Sequence, residues 1–147
     1  MLFPNSKTMV MLQTTSATNG ETVTSQNLDT KGFDVVHIDV VQTTSNNTTN
    51  NPSVFKLQHA DTTDVSNFAD VSGFVGDTDW TVPTVGTNTA TVSSYKLKVD
   101  VRHKKRYLRL LISPVTTQSF TAVANLFGGE VVPTNATVAN VSALVEG

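Results

Sequence analysis

From Lys96 to Val101 polar and apolar residues alternate without a break, with Lys96, Lys98 and Asp100 on one side and Leu97, Val99 and Val101 on the other. The alternation resumes with Leu108, Leu110 and Ile112 against Tyr107 and Arg109, and stops at Pro114, which cannot donate to a ladder. A period of two over such lengths specifies half-buried antiparallel strands, not a helix. The basic run His103-Lys104-Lys105 lies between the two, so residues 96–114 predict a core hairpin closed by a basic turn.

Two further stretches share the period. In Phe33–Gln42, Val36, Ile38 and Val40 oppose Val35, His37, Asp39 and Val41; in Ser119–Phe127, Phe120, Ala122, Ala124 and Leu126 oppose Thr121, Val123, Asn125 and Phe127. Shorter strands are expected at 7–14 (inner set Met9 and Met11, or Val10 and Leu12), around 21–25, at 54–59 and at 68–71. Between them lie a polar stretch from Thr15 to Gly32, the Asn/Thr-rich run from Thr43 to Ser53 and an acidic turn from Ala60 to Asn67. A Gly/Pro-broken stretch from Ser72 to Gly86 carries Trp80, which is expected to cap the core or pack against a neighbour.

Seven or eight short strands with polar connections and no helical apolar stripe predict an all-β fold, an antiparallel β-sandwich or jelly-roll-like arrangement. Extended N- and C-terminal arms complete the expected layout. Residues 1–14 form an arm or first strand, 15–129 the sandwich, and 130–147 an arm that contains Pro133 and has charge only in Glu130 and Glu146.

At 147 residues the chain can bury about 70% of its unfolded surface in one core without covalent staples. It has no cysteine, which excludes disulfides, thiolate metal sites and cysteine nucleophiles. A net charge of -2 gives no general pull toward nucleic acid or anionic membrane. No apolar run approaches the 18 or so residues of a membrane-spanning helix, and MLFPNSKTMVML lacks the pattern of a secretory signal. The sequons at Asn46, Asn47, Asn135 and Asn140 are expected by chance in so Asn- and Thr-rich a chain.

Candidate chemistry is sparse. His37, His59 and His103 are far apart in sequence, and half-exposed strand histidines are the plain reading; His37 and Asp39 share a face, but no serine sits in a G-x-S-x-G elbow. Neither a catalytic set nor a cofactor is expected. Asp77-Thr78-Asp79 has spacing suited to calcium, or to aspartates bonding their own turn. Seven of the ten basic residues fall within 96–114, and Arg102, Lys104, Lys105, Arg106 and Arg109 cluster tightly. Only Tyr107 is interleaved, which argues against nucleic acid. Opposite an acidic segment from Asp61 to Asp79, the cluster suits contacts between subunits.

Four stretches in order, FDVVHID (33–39), FKLQHADTTDVSNFADV (55–71), KKRYLRLLISP (104–114) and AVANLFGG (122–129), resemble a group of small virion structural proteins of tailed phages and prophages, of the capsid decoration or cement type. The resemblance covers roughly Phe33 to Pro133; the Asn/Thr loop and the longer tail depart from it. It implies a β-sandwich that forms a homo-oligomer, commonly a trimer, on the outer surface of the virion, bound to the major capsid protein. On that basis Arg102, Lys104, Lys105, Arg106 and Arg109 are expected at intersubunit or capsid contacts, with Trp80 and the C-terminal arm as apolar anchors. The rival expectation is a carbohydrate- or receptor-binding sandwich of a head or tail fibre, for which Trp80, Tyr95 and Tyr107 supply few aromatics.

Overall fold

The computed structural model describes residues 5–43, 52–82 and 93–129. The expectations for 44–51 of the Asn/Thr-rich loop, for 83–86 of the Gly/Pro-broken stretch and for the 130–147 arm lie outside them. The elements are strands β1 (Ser6–Ala17), β2 (Val23–Thr24), β3 (Leu28–Asp29), β4 (Val35–Thr43), β5 (Val54–Ala60), β6 (Ala69–Val75), β7 (Ser93–Asp100), β8 (Tyr107–Ser113) and β9 (Gln118–Phe127), with one 3-10 turn at Val65–Asn67.

One sheet runs β1-β9-β4-β7 and the other β2-β8-β5-β6, and every named strand pair is antiparallel. β2 and β3 pair with successive parts of β8, at Val23↔Ile112 and Leu28↔Leu108, and so act as one interrupted strand. Ser25 fills the interruption: its N–H donates to the Leu110 carbonyl, and its hydroxyl accepts from the Leu110 N–H. Counted this way there are eight strands among the described residues. The chain changes sheet at every connection but the one between β5 and β6, which is the double Greek key of a jelly roll.

The inner rows are those the alternation specified. Val36, Ile38 and Val40 of β4, Phe120, Ala122, Ala124 and Leu126 of β9, and Leu108, Leu110 and Ile112 of β8 are all at most 1% exposed. They meet Phe55 and Leu57 of β5 and Leu97 and Val99 of β7 in one apolar cluster. Each large side chain buried there contributes roughly 1.5–3 kcal/mol.

Two expectations need correction, and a third is refined. Lys96–Pro114 is not a hairpin: β7 pairs with β4 in one sheet and β8 with β5 in the other. Both strands have an apolar inner row, and facing each other across the core buries both rows, whereas side-by-side pairing puts them in one layer. The basic segment 101–106 is therefore a crossover between sheets. In β1 the Met9 and Met11 alternative holds, with Met11 in the core and Met9 packed partly buried against it, but Leu12 joins them. Register shifts between Val10 and Leu12 and between Leu12 and Thr15 bury the adjacent Met11 and Leu12 together and leave Val10 46% exposed. Arg109, expected at the surface, is 8% exposed; its guanidinium lies 4.0 Å over the Phe68 ring and donates twice to Gln58 Oε1.

Candidate functional site

The crossover is tied down at both ends. The Val101 N–H donates to the Asp34 carbonyl, and the Arg106 carbonyl accepts from the Thr30 N–H and hydroxyl. In between, the Lys105 N–H reaches His59 Nδ1 at 3.3 Å. Burial and the neighbouring Lys105 and Lys104 charges hold the His59 imidazole below its ordinary value, which favours the neutral form that accepts this bond.

The basic cluster does not act as one patch. Arg102 forms a two-point pair with Asp100, which its hydrogen bonds hold far below the usual carboxylate range. Arg106 pairs the same way with Asp29 and lies 4.9 Å over Tyr107; its hydrogen bonds lower Asp29. Arg109 belongs to a chain across the outer face of the second sheet: Arg109 to Gln58, Gln58 to Asp70, and Asp70 to Lys56 at 3.0 Å. Desolvation lowers the Arg109 guanidinium from its ordinary value. Of the five basic residues expected at contacts, Lys104, Lys105 and Arg109 make no ion pair among the described residues, and of these three Arg109 is buried. Lys105 also borders a small polar recess with Asp61, Thr62 and Asn67.

Asp64, Asp77 and Asp79 are used within their own turns. Asp64 accepts from the N–H and hydroxyl of Ser66. The Asp79 carboxylate accepts the Gly73 and Val75 N–H groups, and Asp77, at φ 58, accepts the Val82 N–H. The Asp77-Thr78-Asp79 pair is thus committed to holding its turn, and that turn places Trp80.

Trp80 packs edge-on against Phe55 at 5.4 Å and lies 6.4 Å from Tyr95. It lines a groove of about 330 Å³ with Phe74, Tyr95, Leu97, Lys96 and Lys98. The groove opens between β7, at the edge of one sheet, and β6, at the edge of the other; neither strand has a second strand partner among the described residues. Lys96 is paired with Asp39 at 2.7 Å, while Lys98 makes no ion pair among them. On the opposite side the sandwich is closed, where the Gln26 N–H donates to the Met11 carbonyl. The sequence reading found Trp80 but not the groove, because only the topology brings residue 74 next to residue 97.

Sequence reasoning also missed the inner amides. Gln42 and Gln118 continue the apolar rows of β4 and β9 and are 0% and 1% exposed. Tyr95 donates its hydroxyl to Gln42 Oε1, but Gln42 Nε2 and both polar atoms of the Gln118 amide have no hydrogen-bond partner among the described residues. Continuation of the two alternating rows was the signal that would have found them.

No protein-family model matches the sequence, and no curated protein matches it. Solved structures do. The VP2 subviral particle of infectious bursal disease virus is 10% identical, with a TM-score of 0.53 over 86% of this chain and 34% of that one. The Gx strain of the same virus gives 10% identity and a TM-score of 0.56 over 93% and 35%. The chain thus spans about a third of the length of those viral chains, and the likeness establishes the fold. The prophage-derived SPBc2 protein YomS aligns over 85% of this chain and 96% of its own, at 7% identity and a TM-score of 0.42, too low to carry an argument.

Proposed function

We propose that this chain is a non-enzymatic structural protein of a virion, a capsid cement or decoration protein that sits on the outer surface, bridges neighbouring capsomers and binds the major capsid protein as a homo-oligomer, with a trimer favoured. The observation that carries this reading is the jelly-roll strand order, together with a fold likeness to the VP2 subviral particle across 86% of the chain. A standard interface buries about 1,600 Å² in total, and repetition around a shell multiplies modest affinities through avidity. Within the expected contact set, Lys104 and Lys105 suit the role best, because Arg102 and Arg106 already have carboxylates and Arg109 is buried.

The test is particle occupancy. Lys104→Glu with Lys105→Glu is expected to lower binding to purified capsids at least tenfold and to leave the fold intact; unchanged occupancy would count against the crossover as the contact. The groove at Trp80 favours a carbohydrate-binding reading. Against it, Tyr95 is 8% exposed and its ring centroid lies 4.8 Å from that of Phe55, so this ring offers no open stacking face. Glycan binding that is lost in Lys98→Glu would reverse the preference.

A further inference from the structure

The open side of the sandwich points to what fills it. β7 has no second strand partner among the described residues, whereas on β6 the Gly73 and Val75 N–H groups are taken by the Asp79 carboxylate; between the two strands the groove has an apolar floor of Trp80, Tyr95, Leu97 and Phe74. The β7 edge beside an apolar floor suits an extended peptide, whose backbone continues that sheet while alternate side chains enter the groove. The rim is cationic, with Lys98 unpaired among the described residues, so the fitting peptide carries no positive charge.

This chain contains such a peptide outside the described residues. Residues 130–147 include no Lys, Arg or His, and Val131, Val132, Val138, Val141, Leu144 and Val145 give them small apolar side chains. They follow Gly129, whose carbonyl is held by the Asn5 amide at the end of β9. There Phe127 is level with Val35 and Val35 with Asp100, so Gly129 lies two strand spacings from the β7 edge. The groove is then roughly 20 Å away, while 18 extended residues reach about 60 Å. That length is about three times the path to the chain's own groove, which leaves enough chain to enter the groove of an adjoining copy.

We infer that the groove between β6 and β7 receives the 130–147 segment of a second copy of this chain. Passed from copy to copy around a ring, such a head-to-tail contact closes a cyclic oligomer without a two-fold interface. The inference rests on the self-associating reading above and assigns it a surface.

The chain has no cysteine, so single thiols can report the contact in full-length protein. Lys98→Cys and Ser142→Cys chains are purified separately, mixed and treated with a short bismaleimide. Cross-linked heterodimers are expected, and none when Thr14→Cys on the far edge strand replaces Lys98→Cys. No heterodimer, or an equal yield with Thr14→Cys, would overturn the inference. So would a Lys98→Cys/Ser142→Cys chain that cross-links only within itself, because its own tail then occupies the groove. Capsid binding by the unmodified chain separates the two claims. Binding without cross-linking leaves the virion role standing and removes the arm contact, whereas cross-linking without binding does the reverse.

Discussion

Gln118 sits where an apolar residue would extend the inner row of β9, and its amide is buried with neither polar atom bonded. Leaving such a group unpaired costs about 1–3 kcal/mol, and an apolar side chain of similar shape removes that cost. Gln118→Met is therefore expected to raise the thermal midpoint by several degrees in calorimetry, at about 2–4 °C per kcal/mol for a chain of this size; a drop would mean the amide has a partner. Gly76 presents the opposite case. A Cβ there would stand 2.8 Å from the Phe55 carbonyl oxygen and 2.6 Å from Val82 Cγ2. Gly76→Ala is expected to cost about 1–3 kcal/mol in urea unfolding, because backbone has to move to admit it. The inward direction of Gln42 and Gln118 was legible from row parity, whereas their lack of partners depends on which groups the other sheet brings opposite. Arg109 was misread for a related reason: parity placed it correctly on the outer face, but nothing local in the sequence shows that Phe68, forty-one positions earlier, covers it.

At the scale of elements, the turn after β6 is built around Asp79, whose carboxylate gathers two N–H groups and so fixes where Trp80 enters the groove. Asp79→Ala is expected to cost about 1–3 kcal/mol and to shift Trp80 fluorescence to the red; an unchanged spectrum would show that the turn holds without it. The crossover supplies a pH dependence. His59 is lowered in the folded chain, so between its ordinary value of 6.5 and its folded value the unfolded chain takes up a proton that the folded chain refuses. Stability is accordingly full above pH 6.5 and falls on acidification below it, and His59→Gln is expected to flatten that part of the urea-midpoint profile. Asp29 and Asp70 are also lowered, mainly by Arg106 and Gln58, and withdraw their contribution only below about pH 4. Four strands could be read from periodicity alone. The pairing of β7 and β8 could not, because two amphipathic strands joined by a short turn satisfy their inner rows either as neighbours or as opposite walls.

For the molecule as a whole, the all-β class, the two-sheet sandwich and the position of the core followed from the strand pattern, but the assignment of each strand to its sheet did not. The crossover lysines and the groove lie apart, one at the end of the sandwich and one along its open side, so the two proposed contacts are separable by mutation. Lys104→Glu with Lys105→Glu is expected to abolish capsid binding while native mass spectrometry still shows the oligomer, and Lys98→Glu to weaken the oligomer. Loss of both properties in either variant would merge the two surfaces into one.

The central place of β9 also governs how this chain is made. Ser6 pairs with Phe127, and β9 also pairs with β4 along its whole length, so the last described strand to leave the ribosome becomes an inner strand of its sheet. Until residue 127 emerges, β1 and β4 wait with bare edges, a condition that invites pairing with other nascent chains. Contacts so distant in sequence also place folding in the milliseconds-to-seconds range. A protein of this design gains its shape only once β9 has emerged, and its yield in cells should respond to crowding by its own unfinished copies.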